Sequence, residues 1–308
     1  MSDRSPQKPP RDSGAGVPAF FDHRRRFDEL RYVYPVVSRR AGGLSIGLNL
    51  NPDKVCNFDC VYCQVDRHVP PQVRTVDPAR VAEELVAMLD ATESGRLWEL
   101  PRFASTPPQL RGLHDFALSG DGEPTTSPHF ERVVSDLIAL KRARGLDAVK
   151  IVLITDAACL HHAPVRRALA QMDGAQGEVW AKLDAGTEAF YRRVARTRVP
   201  FSRILKNLAL TAAERPLTIQ SLFFAWDGQA PPDAEIDAWI ERVVAVEAQG
   251  TVAEVQVYTV ARTPAEPACA ALPVDALERI AERLRARSRA PVTVHGGGAP
   301  ASEPVTPR

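Results

Sequence analysis

The sequence predicts an α/β protein, a partial (βα)6 TIM-like barrel in which helices cover the outside of a mainly parallel sheet. Short runs of aliphatic and β-branched residues alternate with longer segments that show helical periodicity. Six such strand–helix units follow one another over ~240 residues, which suits an open or partial barrel better than a closed eightfold one. In either arrangement ligands bind at the carboxyl ends of the strands, so the residues after each strand are the candidate functional residues.

The strands are predicted from apolar runs, and the helices from apolar residues three and four positions apart. The predicted strands cover residues 44–50, 115–119, 149–155, 178–183, 217–224 and 252–260, with a short last strand at 291–294. The predicted helices begin at Asp77 and Ser127 and cover 164–171, 187–213, 232–248 and 273–288. Asp77 and Ser127 are each followed by proline, which is the pattern of an N-cap and the first helical residue.

The two ends of the chain are rich in Pro, Ser, Gly or charged residues. We therefore predict disordered tails over residues 1–18 and 296–308. Residues 19–295 are predicted to form a single domain, because no low-complexity linker divides them. Residues 101–112 are rich in proline and are predicted to be a surface loop.

The bulk composition is that of an ordinary globular protein. With 308 residues, of which 44% are hydrophobic and 25% charged, the chain can bury a sizeable core. The formal net charge of +1 gives no general reason to expect a nucleic acid or a membrane as partner. No stretch approaches the roughly 20 apolar residues that span a bilayer, and the first residues lack the apolar core of a signal peptide. A cytoplasmic location without membrane contact is therefore predicted.

Three of the five cysteines lie on one loop directly after the first predicted strand: Cys56, Cys60 and Cys63. Thiolates are the usual ligands of iron–sulfur clusters, and three of them would leave one iron of a [4Fe–4S] cluster open. A structural zinc site needs four protein ligands, and it is the alternative here, completed by His68, Cys159 or a distant histidine. Cys159 and Cys269 are otherwise expected to be unpaired thiols.

A second motif follows the second predicted strand: Ser119, Gly120, Asp121, Gly122, Glu123 and Pro124. Glycine allows the backbone to approach a ligand closely, and Glu123 can accept hydrogen bonds from an ammonium group. By itself the motif is also compatible with a simple glycine-rich turn.

Polar residues also follow the later strands. Thr155 and Asp156 end the third strand and either contact a ligand or cap the next helix. Lys182 and Asp184 are two residues apart on the fourth strand and so share a face. There they would contact a carboxylate and a ribose hydroxyl, or form an internal ion pair. Arg262, after the sixth strand, is either a contact for an anionic substrate or a surface residue.

Together these motifs resemble the radical SAM superfamily, whose signature is C-x3-C-x-aromatic-C after the first strand of a partial (βα)6 barrel. The resemblance implies a [4Fe–4S] cluster on the three cysteines, S-adenosylmethionine (SAM) on its open iron, and an electron donor such as flavodoxin or ferredoxin. It also implies one-electron cleavage of SAM to methionine and a 5′-deoxyadenosyl radical that abstracts hydrogen from a substrate. The implied SAM contacts are Tyr62, Gly120, Asp121, Gly122, Glu123, Pro124, Thr155, Lys182 and Asp184.

Several stretches look like one branch of that superfamily, the proteins related to the tRNA wyosine-base synthases. These stretches are residues 35–40, 56–64, 119–124, 182–185 and 256–259. Those synthases rebuild a methylated guanosine in tRNA with carbon from pyruvate, so an RNA base is one candidate substrate.

Two features differ from those synthases, which carry upstream cysteines for a second cluster and an upstream lysine that captures pyruvate. Here no cysteine precedes Cys56, and no lysine lies between Lys8 and Lys54. The resemblance to this branch therefore predicts the scaffold and the SAM site better than the substrate. Two alternatives stand beside it: a zinc-stabilised binding protein without catalysis, and a radical SAM enzyme that acts on a peptide.

Overall fold

The structure is a computed structural model that describes residues 27, 30–38, 41–67, 69–261, 264 and 266–297. The predicted tail over residues 1–18 lies outside the described residues, and so does the predicted tail over 296–308 except for its first two residues. None of the described helices combines the length and the apolar character needed to cross a membrane.

The described residues form ten strands. They are β1 (Val33–Ser38), β2 (Gly43–Leu48), β3 (Leu113–Leu118), β4 (Lys150–Thr155), β5 (Gly177–Lys182), β6 (Leu217–Leu222), β7 (Phe224–Trp226), β8 (Val252–Tyr258), β9 (Cys269–Ala271) and β10 (Val292–His295). The α-helices are α1 (Pro78–Glu93), α2 (Arg96–Glu99), α3 (Phe130–Ala143), α4 (Ala163–Asp173), α5 (Glu188–Ala195), α6 (Phe201–Glu214), α7 (Asp233–Glu247) and α8 (Val274–Arg285). Each predicted strand is present, with its ends shifted by at most two residues.

Eight of these strands form one open sheet in the order β1-β2-β3-β4-β5-β6-β8-β10. From β2 to β10 all neighbours are parallel, because a helix returns the chain between successive strands. The predicted α/β partial barrel is thereby confirmed. Strand β1 is an antiparallel edge strand that the sequence analysis missed. Its Pro35 cannot donate a ladder hydrogen bond, which is tolerated at an edge.

Two further predictions were wrong in detail. The helix expected over residues 187–213 is two helices, α5 and α6, because Arg196 adopts a left-handed conformation with φ 46° and Pro200 cannot continue the hydrogen bonding of α5. The helix expected to begin at Ser127 begins at Phe130, since the backbone first makes a turn in which the Phe130 amide donates to the Ser127 carbonyl.

Helix α1 begins as predicted. The Asp77 carboxylate accepts hydrogen bonds from the Ala79 amide at 3.0 Å and the Arg80 amide at 3.5 Å, and proline follows the cap. The predicted apolar face of this helix, which includes Val81 and Leu85, is buried in the core. Residues 101–112, which were expected to form a surface loop, lie only partly on the surface, because Phe103 is fully buried.

The inner face of the sheet is polar at the level where β5 ends. Lys182, Gln220, Gln256 and Thr293 are register neighbours on β5, β6, β8 and β10. The Gln220 side-chain nitrogen donates to the Gln256 side-chain oxygen at 2.8 Å, so that each of these two buried amide groups has a hydrogen-bond partner. The interior of the barrel is therefore lined by hydrogen-bonding groups just below the carboxyl ends of the strands.

A single buried carboxylate fixes the start of β1. Glu84 on α1 accepts hydrogen bonds from the amides of Arg31 at 3.0 Å, Tyr32 at 2.8 Å and Val33 at 3.1 Å. Arg80 lies 3.4 Å from the same carboxylate. Glu84 thus supplies partners to an edge strand before its ladder begins.

We expect Glu84→Ala to lower the free energy of unfolding by about 3 kcal/mol, because it leaves buried backbone amides without acceptors. Urea denaturation followed by circular dichroism measures the change. The matched control is Glu83→Ala, which removes an exposed partner of the same Arg80 and should change stability by less than about 0.5 kcal/mol. Equal losses in the two variants would contradict this role of Glu84.

Candidate active site

The loops at the carboxyl ends of β2, β3, β4 and β5 carry the predicted site residues and pack against one another. The three cysteines lie on the loop after β2, and all three are partly buried. Burial raises the pKa of the Cys56 thiol to about 12 and also raises the pKa of Cys60. Both thiols are therefore neutral near pH 7 until a metal displaces the proton. Arg67 lies beside Cys63, with Nη1 3.4 Å from its sulfur.

The cysteine loop, residues 56–63, is hydrogen-bonded to the C-terminal end of α5. The amides on either side of Cys60 donate to that helix, Asp59 to the Ala195 carbonyl and Val61 to the Val194 carbonyl, both at 3.0 Å. A rigid element thereby holds the middle cysteine from the outside of the barrel.

The two glycines of the second motif let its loop pack against the loop before the cysteines. A Cβ atom at Gly120 would lie 2.2 Å from Asn49 Oδ1, and one at Gly122 would lie 2.1 Å from the Val55 carbonyl oxygen. The Asn49 side chain also accepts from the Asp121 amide at 3.0 Å and donates to its carboxylate at 2.6 Å. The close approach that the glycines allow is therefore to a neighbouring loop. Sequence reasoning missed Asn49, whose only signal is an asparagine at the end of an apolar strand.

Glu123 joins the loops after β3 and β4. Its buried carboxylate accepts hydrogen bonds from Thr155 Oγ1 and the Asp156 amide, each at 2.7 Å, and from the amide and hydroxyl of Thr125. Pro124 follows it in a short 3-10 turn. Burial raises the pKa of Glu123 in spite of these donors.

Asp156 presents a buried acceptor without a partner. Its Oδ1 accepts from the Ala158 amide at 2.8 Å, whereas Oδ2 is buried and has no hydrogen-bond partner of good geometry among the described residues. Burial, reinforced by the Glu123 carboxylate, raises the pKa of Asp156 well above its usual range. The expectation that Thr155 or Asp156 caps the next helix was wrong, because α4 begins at Ala163 with His162 as its cap residue.

At the end of β5 the predicted internal ion pair is present. Lys182 Nζ lies 3.0 Å from Asp184 Oδ1 and also donates to the Tyr258 hydroxyl. The hydroxyl of Tyr62 donates to the other oxygen of Asp184, which links the cysteine loop to β5. Burial alone would lower the pKa of Lys182, but Asp184 and Tyr258 together raise it. Sequence reasoning missed the contact of Tyr258, because it arises only through space.

A small cavity lies between these groups and the helices outside the barrel. Asp156, Lys182 and Asp184 line its polar side, and Phe58, Tyr191 and other apolar residues line the rest. The site therefore combines carboxylates, one ammonium group and aromatic walls beside the cysteine loop.

Four further residues named in the sequence analysis lie outside the two motifs. Arg262 and His68 lie outside the described residues. Cys159 and Cys269 are free thiols, as predicted. Within the described ranges, no three His, Cys, Asp or Glu side chains converge closely enough to hold a single metal ion.

Comparison with known proteins supports the fold resemblance. No family model matches the chain. A UPF0026 protein of Helicobacter pylori is 26% identical over 140 residues, which are 45% of this chain and 39% of that protein. The UPF0026 protein MJ1312 of Methanocaldococcus jannaschii is 28% identical over 167 residues, 53% of this chain and 43% of that protein. The chain thus matches less than half the length of these relatives.

Among solved structures, the fold is similar to that of TYW1 with a lysine–pyruvate adduct bound. The TM-score is 0.51 at 16% identity, over 79% of this chain and 74% of the other. The resemblance predicted from the cysteine and Gly-Glu-Pro motifs is therefore confirmed for the fold.

The glycine packing predicts a stability difference. We expect Gly122→Ala to lower the free energy of unfolding by about 1–3 kcal/mol, because its Cβ would force the β3 loop away from Val55. Gly174→Ala is the matched control, since a Cβ there would meet nothing closer than 3.8 Å. Denaturant titration of both variants measures the difference, and an unchanged Gly122→Ala protein would disprove the tight packing.

The largely but not fully buried ion pair of Lys182 and Asp184 predicts strong coupling between its partners. We expect Lys182→Met to cost about 3–5 kcal/mol, because it leaves the Asp184 carboxylate buried without its cation. Adding Asp184→Asn should recover at least about 1 kcal/mol of that loss. A double-mutant cycle measured by urea unfolding gives the coupling energy. Additive effects would show that the two side chains do not stabilise each other.

Proposed function

We propose that this protein is a radical SAM enzyme that uses a [4Fe–4S] cluster on Cys56, Cys60 and Cys63. The observation that carries the proposal is the position of the three-cysteine loop. It lies at the carboxyl ends of the strands of a partial barrel, beside buried carboxylates on the next loops. Ligand sites of parallel α/β folds lie at this end of the sheet.

The donor set fits an iron–sulfur cluster. Three thiols on one loop leave a cluster iron open, and the raised pKa values of Cys56 and Cys60 mean that assembly must release protons from these two thiols. Arg67, 3.4 Å from the Cys63 sulfur, would offset part of the negative charge of the thiolates.

The surrounding residues fit SAM, which carries a positive sulfonium and a positive ammonium group. Glu123 and the Asp156 oxygen that lacks a well-placed donor among the described residues are buried acceptors for a cationic group. Lys182 would contact a carboxylate, and Asp184, which Tyr62 and Lys182 hold in place, would contact a ribose hydroxyl. When bound, the reduced cluster supplies the electron that cleaves SAM to methionine and a 5′-deoxyadenosyl radical, which abstracts hydrogen from the substrate.

The substrate proposed here is an RNA base, by analogy with the branch whose motifs the sequence resembles. The polar inner face formed by Gln220, Gln256 and Thr293 supports it, because amide and hydroxyl groups can hydrogen-bond the edge of a base. The electron donor proposed is a flavodoxin or a ferredoxin.

The test is anaerobic reconstitution with iron and sulfide, reduction with dithionite, and EPR spectroscopy with and without SAM. We expect a [4Fe–4S]⁺ signal that SAM perturbs, together with release of 5′-deoxyadenosine. Cys60→Ala should lose both readouts. Cys269→Ala, which removes a thiol that lies outside the motif and donates to the Val61 carbonyl at 3.5 Å, should keep them.

The zinc alternative gives opposite results. A colourless protein with one zinc per chain, no SAM effect and loss of metal in Cys159→Ala would rule out the enzyme proposal. An intact cluster in Cys159→Ala would agree with three cysteine ligands.

A further inference from the structure

One exposed segment next to the cysteine loop is strongly basic. Between Glu188 and Glu214 the chain has no acidic residue. The six basic residues there are Arg192, Arg193, Arg196, Arg198, Arg203 and Lys206, and all six are exposed. We call this set the basic segment. It is a local feature, since the net charge of the whole chain is only +1.

Two of these side chains are ion-paired, Arg192 with Glu188 and Arg196 with Glu266, and the other four form no ion pair with the described residues. Arg198, Arg203 and Lys206 have no side-chain hydrogen bond or ion pair within the described part of the chain. Their charges are therefore available to a partner. Arg196 pairs with Glu266 at 2.6 Å, and the Arg193 guanidinium lies 4.3 Å from the centre of the Trp226 ring.

The basic segment is joined directly to the cysteine loop. Besides the two hydrogen bonds that flank Cys60, the Thr197 hydroxyl donates to the Asn57 carbonyl at 2.7 Å. The ring of Phe58 meets the edge of Tyr191 with centroids 5.9 Å apart. A protein that binds the basic segment would therefore lie against the outside of the loop that carries Cys60.

We propose that the basic segment is the docking surface for a small acidic one-electron carrier protein. This inference rests on the proposed function, since it concerns how an electron reaches a cluster on the three cysteines. A flavin hydroquinone carrier would give up one electron and leave as the semiquinone, while the cluster goes from the 2+ to the 1+ state. Complexes for electron transfer between proteins bury small surfaces, and opposite charges on the two proteins speed their association and orient them.

The carrier fits these observations better than an RNA does. An extended polyanion gains affinity from many phosphate contacts and usually meets a broadly basic protein, whereas this chain is nearly neutral overall. Six exposed cations within fifteen residues, on the element joined to the proposed cluster loop, suit a small acidic protein. RNA binding at this surface remains an outcome that the experiment can detect.

The test compares two charge-reversal variants of the full chain. The docking variant carries Arg192→Glu, Arg198→Glu and Arg203→Glu, none of which contacts the candidate active site. The control variant carries Arg142→Glu, Arg279→Glu and Arg287→Glu, which are exposed on α3, on α8 and just after α8 and change the net charge equally. Fluorescence titration with a reduced flavodoxin gives the dissociation constant at several salt concentrations.

We expect the docking variant to bind flavodoxin about tenfold more weakly at low salt and to show a smaller salt dependence. The rate at which reduced flavodoxin reduces the cluster should fall with the affinity in this variant. The control variant should behave as the parent does. SAM cleavage driven by dithionite should be unchanged in both variants, because dithionite needs no docking surface.

Each contrary result has a distinct meaning. Equal flavodoxin affinity in the two variants would overturn the docking surface. Loss of affinity for a tRNA transcript without loss for flavodoxin would overturn it in favour of nucleic acid. Absence of dithionite-driven cleavage in the parent protein would instead count against the proposed function, while the binding comparison would still decide where the carrier docks.

Discussion

The buried carboxylate of Glu123 is the contact on which the geometry of the candidate site depends. It accepts hydrogen bonds from its own loop through Thr125 and from the loop after β4 through Thr155 and Asp156. A buried carboxylate is stable only when donors surround it. These donors hold two loops together at the end of the sheet where the cysteines lie. Gly122 then allows the same two loops to pack against the segment just before the cysteine loop, at Asn51 and Val55.

The electrostatics of the site favour a cationic ligand. Glu123 and Asp156 are buried near each other, and both have raised pKa values because burial disfavours their charged forms. The one buried lysine of the described site, Lys182, is already paired with Asp184 and held by Tyr258. A ligand that brought positive charge to Asp156 would therefore remove a cost that the protein alone does not offset. The ammonium and sulfonium groups of SAM are charges of that kind.

Much of the fold could be predicted from sequence because its signals are local. Apolar runs mark the strands β2 to β6 and β8, and Asp77 with the following proline marks the start of α1. The elements that the sequence analysis missed are held by contacts between distant parts of the chain. Strand β1 is held by Glu84, which lies about fifty residues further along the chain, and the small sheet of β7 and β9 pairs segments that are only three residues long. Such elements depend on tertiary contacts that no sequence window contains.

The same difference between local sequence signals and non-local contacts holds within the site. It explains why the motifs alone do not predict how the site is held together. The cysteines and the Gly-Glu-Pro stretch are contiguous, so their spacing alone predicts a chemistry. By contrast, the contact of Tyr62 with Asp184 and the attachment of Val61 to α5 join segments that are far apart in sequence. These contacts give the cysteine loop two supports, one inside the barrel and one outside. The outer support ends in an arginine-rich turn, so the element that positions Cys60 also gives the protein surface beside it a positive charge.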